Sequence, residues 1–165
     1  MVFWVPILSY AAVVLLAAVS FARAPAPRGP RLLARLLLRY VNLFPVGLVG
    51  LWAALGHIVF PARSAAAIGW APSPFQTEVG TANLGIGMAG LVAAFYPNWG
   101  FRAAVAIMVA GFLGGAAVNH VAEIARTGNL AAGNAGPILY PDVLTPLLLV
   151  ILLALTWRSD RSAVA

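Results

Sequence analysis

The stretch S-P-F-Q-T-E-V-G-T-A-N-L-G-I-G-M-A-G, residues 73–90, sets a carboxylate, Glu78, among glycines and apolar side chains. Read on to Phe95, it carries no other charge. About 20 such residues suffice for a helix to cross a hydrocarbon core of about 30 Å. The stretch therefore predicts a membrane helix over 75–95, with a polar residue in its first turn. A polar pocket at one face of a membrane bundle would account for that residue.

The rest of the chain agrees. Of 165 residues, 62% are hydrophobic and 8% charged, against roughly a quarter charged in soluble domains, and the mean hydropathy is +0.95. Apolar runs predict four further spans, at about 2–22, 40–60, 102–122 and 143–157, in one membrane domain covering 1–165. The fourth run continues toward Thr127, and the last is short unless 139–142 joins it. A four-span arrangement with one peripheral segment is the alternative. The fold class expected is all-α, a polytopic helical bundle. Ala22-Arg23-Ala24 has the small residues of a signal-peptidase site, but no positive charge precedes the long apolar run and Pro25 follows, so a retained helix is expected.

The net charge of +6 comes from arginine alone, since the chain has no lysine. Five of the ten arginines lie between Arg23 and Arg39, beside apolar spans, which suits lipid heads and topology better than nucleic acid. In a five-span arrangement Arg23, Arg28, Arg31, Arg35, Arg39, Arg102, Arg158 and Arg161 share one side, leaving Arg63 and Arg126 on the other. The positive-inside rule then predicts an outside N-terminus and a cytoplasmic C-terminus. Residues 23–39 read as a basic cytoplasmic loop and interfacial helix. Arg31, Arg35 and Arg39 form one stripe on it for anionic lipid or a partner.

Close approach of membrane helices relies on small residues. Gly85, Ala89 and Ala93 recur at four-residue spacing in the third span, and Gly111 and Gly115 in the fourth, so these two spans are expected to be near neighbours. With the orientation assigned, His57, Glu78, Asn83, Asn119, His120, Glu123 and Asp142 fall toward the outer leaflet. Three readings stand for them. The polar groups cap helix ends and satisfy one another, with Glu123 pairing Arg126. Alternatively, His120 and Glu123 turn together toward Glu78 and His57 as a metal site, although only one such His–carboxylate pair is present; a haem between His57 and His120 has less to support it. Finally, the cluster lines a pocket for a lipid head, a quinone or another small amphiphile.

Enzyme motifs are thin. Gly85-Ile-Gly87-Met-Ala-Gly90 matches a dinucleotide fingerprint in letters only, since it lies within a span. The absence of cysteine excludes thiol chemistry and thiolate metal sites. No catalytic residue, metal site or cofactor is assigned. The expected role is an integral membrane binding or accessory protein whose ligand-binding residues are Glu78, Asn83, His120, Glu123, His57 and Asp142. The alternative is a quinone-linked redox subunit, or a small-solute or proton transporter, using Glu78 and His120. Expected partners are membrane lipids and a larger membrane complex or second copy.

At E-V-G-T-A-N-L-G-I-G-M-A-G-L, residues 78–91, the chain resembles a family of small multi-pass bacterial membrane proteins of unknown function, loosely like the DoxX group. The likeness continues through the glycine-rich Gly111–His120, the loop Gly128–Asn134 and Asp142, covering about 73–157. It implies a compact helical bundle in the bacterial inner membrane, with Glu78, Asn83, His120 and Asp142 as the residues of interest. The association of some DoxX-like proteins with quinone-linked complexes implies a redox setting, for which this chain has no flavin motif.

Overall fold

The computed structural model describes residues 4–161, with side chains as far as Trp157. The expected start of the first span at Val2, and the side chains of Arg158 and Arg161, lie outside that description. Every regular element is helical: α1 (Val5–Arg23), α2 (Pro30–Val41), α3 (Val49–Val59), α4 (Pro61–Ile68), α5 (Phe75–Phe95), α6 (Trp99–Thr127) and α7 (Leu139–Arg161). Five stretches are long and apolar enough to cross a membrane: Val5–Arg23, Pro30–Val59, Phe75–Phe95, Trp99–Thr127 and Leu139–Trp157. The protein is an all-α, multi-pass membrane bundle.

The second of these is one 30-residue rod made of α2, a π-helical segment at Asn42–Leu48, and α3. Pro45 lies inside that segment. It has no N–H, and its ring crowds the carbonyl four residues back. The ladder widens to π spacing there, and the helix continues instead of breaking. The arginine-bearing segment, expected as a separate interfacial helix, is thus the first three turns of a span. Pro30 starts it, with extended Gly29 as N-cap. Ala34, Leu38 and Val41 are buried, while Arg31, Arg35 and Arg39 are exposed on the other side. Arg39 lies 5.4 Å from the Phe95 ring centroid.

Along α5 the buried positions Gln76, Gly80, Asn83, Gly87, Gly90 and Ala94 step by three and four, tracing one stripe. That stripe meets the 30-residue rod with backbones nearly touching. A Cβ on Gly50 would stand 2.9 Å from Gly87 Cα, and one on Gly90 would stand 2.7 Å from Gly47 N. The close neighbour of α5 is therefore the second span, not α6 as the glycine spacing suggested. A Cβ on Gly85, Gly111 or Gly115 would meet nothing within 4 Å. Ala89 does not belong to the glycine contact; it packs, partly buried, against the apolar core.

α6 starts with Asn98 Oδ1 accepting from the Phe101 N–H at 2.9 Å and runs to Gly128, whose φ of +70° ends it. Helix α7 does take in Leu139–Asp142. These two helices pair, and Trp99 Nε1 donates to the Leu153 carbonyl at 3.2 Å. Two pairs result, the rod with α5 and α6 with α7. Val13, Leu38, Val41, Val46, Ala93, Val105, Val109, Leu149 and Leu152 form the apolar core that joins them at one end. Arg102 is buried there and donates Nε to the Ala93 carbonyl at 2.8 Å, satisfying an otherwise unpaired group at the end of α5. Toward the other end the pairs separate, bridged by α4 and the 128–138 loop.

Candidate ligand cavity

The separation leaves a cavity of about 860 Å³, within the range of small-molecule sites. Pro45, Val46, Ile86, Val109, Phe112 and Leu113 make its inner part apolar. His57, Gln76, Asn83, Asn119, His120, Asp142 and Thr145 give it a polar end. The helices deliver these groups as their sequences dictate. His57 is in the last turn of α3, Gln76 and Asn83 lie on the glycine stripe of α5, and Asp142 is in the first turn of α7.

His120 is held on three sides. Its Nδ1 lies 2.7 Å from Asn134 Oδ1, its Nε2 3.7 Å from Asp142 Oδ2, and its ring stacks on Trp70 with centroids 5.9 Å apart. Asn134 Nδ2 donates to the Asn129 carbonyl at 2.8 Å, which fixes the orientation of its amide. Oδ1 must then accept from His120 Nδ1–H, which leaves Nε2 turned toward Asp142. Deeper in α7, Thr145 shares a 2.6 Å hydrogen bond with Tyr10 of α1.

The loop that supplies Asn134 is anchored on α4. Asn129 Nδ2 donates to the Ile68 carbonyl at 2.9 Å, and Gly133 N–H donates to the Ala67 carbonyl at 3.0 Å. A Cβ on Gly133 would lie 2.7 Å from that same oxygen, so only glycine fits. Asn134 is 0% exposed. Asn134→Leu is expected to leave His120 Nδ1 and the Asn129 carbonyl unpaired and to lower stability by about 1–3 kcal/mol. Thermal unfolding in detergent measures that change.

Four of the six residues expected in a pocket line this cavity: His57, Asn83, His120 and Asp142. Glu78 and Glu123 do not. Glu78 lies on the exposed face of α5, two residues from the buried Gln76 and so roughly opposite it. Glu123 faces Arg126 at 3.5 Å and accepts from Thr127, as the pairing reading anticipated. His120 and Glu123 therefore do not converge as ligands of one metal. His57 Nδ1 lies 2.7 Å from Gln76 Oε1.

Gln76, Thr145 and Tyr10 were not singled out in the sequence, and Trp70 and Asn134 were not counted among the pocket residues. Gln76 had a legible signal, since it continues the Gly80–Asn83–Gly87 spacing back by four. Asn134 lay in the loop the resemblance marked, but its partner His120 was not readable because it depends on that loop folding onto α4.

The class these features define is a polytopic helical membrane protein with a large cavity, apolar within and polar at one end. The chain belongs to DUF6790, a family of unknown function, which matches residues 3–162. That agrees with the unknown-function family implied by the Glu78–Leu91 stretch. No curated protein and no solved structure is significantly similar to it.

Proposed function

We propose that the protein binds a lipid, a quinone or another small amphiphile in this cavity, acting as a binding or accessory component of a membrane. One observation carries the reading: the cavity of about 860 Å³ has an apolar interior and a polar end holding His57, His120 and Asp142. That is the complement of a molecule with a hydrocarbon body and a hydrogen-bonding head. The arginine distribution supports a bacterial cytoplasmic membrane orientation with the cavity end outward. The exposed Arg31–Arg35–Arg39 face suits anionic lipid heads on the inner side. The rival role, a redox subunit or a transporter built on Glu78 and His120, loses support because Glu78 stands off the cavity wall.

Native mass spectrometry of protein extracted gently in lipid nanodiscs tests the reading. The expected result is a discrete small amphiphile retained at one per chain after lipid is stripped. A spectrum with only the bare chain, or only graded bulk lipid, would refute it.

A further inference from the structure

We propose that the cavity is entered from within the membrane, through the seam between α5 and α6, so that its ligand is drawn from the lipid phase and not from water. This rests on the binding role proposed above and adds the route to the site.

The two helix pairs meet along two seams. On one side α1 lies across the join and packs on both α3 and α7. Its buried Pro6 forms part of the cavity wall, and its Tyr10 is tied to Thr145 of α7 at 2.6 Å. Among the described residues no third helix bridges α5 and α6 in this way. Those two helices touch at the closed end of the bundle. There Arg102 Nε donates to the Ala93 carbonyl at 2.8 Å, and the Tyr96 and Phe101 rings meet edge to face with centroids 5.9 Å apart.

Helical phase carries both sides of this contact along the seam. Eleven residues back from Ala93 is Ala82, about three turns away on the same side of α5. Fourteen and eighteen residues on from Phe101 are Gly115 and Asn119, about four and five turns along the same side of α6. Ala82 and Gly115 thus stand about 17 and 20 Å from the Ala93–Arg102 bond, at matching depth. A closed seam would bury them against each other. Instead Ala82, Gly115 and Asn119 are all exposed, and a Cβ on Gly115 would meet nothing within 4 Å. Gly115 and Asn119 nonetheless line the cavity. Residues that belong at once to the cavity wall and to the outer surface mark an opening, here with small side chains at its lips and an amide at its rim.

The polar end, by contrast, is covered. The 128–138 loop is tied to α4 through Asn129 and Gly133, and Trp70 stacks on His120. Beneath them His120 is 7% and Asp142 6% exposed. A hydrocarbon tail that slips between α5 and α6 passes from lipid to the apolar interior without meeting water. It thereby avoids a hydration cost of about 0.8 kcal/mol per CH₂.

The chain has no cysteine, so Ala82→Cys combined with Gly115→Cys allows the two lips to be bridged selectively with a short bismaleimide. The probe is dodecanol, loaded into the full chain in zwitterionic nanodiscs. Its replacement by perdeuterated dodecanol is followed by native mass spectrometry. Bridging is expected to slow this exchange at least about ten-fold while leaving the amount retained at equilibrium unchanged, since a closed entrance slows entry and exit alike. Blocking each thiol singly with N-ethylmaleimide should leave exchange fast. Fast exchange in the bridged chain, or failure of the reagent to join the two positions, would overturn the lateral route and leave the cavity's binding role standing. Failure of the unbridged chain to retain dodecanol would overturn both.

Discussion

Gly90→Leu should leave little or no folded protein. The added Cβ would sit 2.7 Å from Gly47 N and Val46 Cγ1, and 2.9 Å from the Asn42 carbonyl oxygen. Two of these are backbone atoms of a helix, which no rotamer change can move. Overpacking against side chains typically costs about 1–3 kcal/mol. Against backbone the two helices must part along their length, so a cost of about 3 kcal/mol or more is expected, comparable with much of a domain's stability. Size-exclusion profiles and thermal unfolding in detergent report it. Gly85→Leu is the matched control on the same helix. Gly85 is exposed, with nothing within 4 Å of its Cβ direction. Its replacement should be neutral, or stabilising by up to about 0.8 kcal/mol through helix propensity. Equal effects of the two substitutions would contradict the glycine contact between the second and third spans.

The second large effect concerns ligand, not fold. Gly115→Phe combined with Ala116→Phe places two rings on the wall of the cavity, where Gly115 has open space around it and Ala116 is only half-buried. The unfolding temperature should hold, while retention of a co-purified amphiphile should fall at least about ten-fold through loss of space and apolar contact. Retention at the level of the unaltered protein would mean the ligand lies elsewhere. Loss of folding would mean that Gly115 does serve helix packing, as its four-residue step from Gly111 first suggested.

That contrast shows where the sequence was legible. The spans were readable because hydropathy reports directly on solvent, and lipid imposes a helix on any such run. The second span's true start was missed because arginine at 31, 35 and 39 depresses hydropathy without interrupting the helix. The glycines were visible, but their partners were not: G-x-x-x-G spacing names a face and says nothing of which helix covers it. Gly47 and Gly50, shortly after Pro45, proved to be the complement of Gly87 and Gly90. For the site, His57, Asn83, His120 and Asp142 were identifiable as polar residues in apolar surroundings. Glu78 belonged to the same class by sequence. It differs only in helical phase, being two residues from Gln76 and so turned away from the cavity.

The 30-residue rod would also set the posture of a guest in the cavity. From Arg39, where the charged stripe ends, to His57 is eighteen residues, or about 27 Å of rise, close to the thickness of the hydrocarbon layer. Pro45, on the cavity's inner wall, lies about 18 Å from His57 on the same scale. A guest with its head beside His57 would thus lie upright, its tail reaching past the midplane in the same sense as the acyl chains of the nearer leaflet. It could trade places with a neighbouring lipid by sideways diffusion, without ever turning end over end.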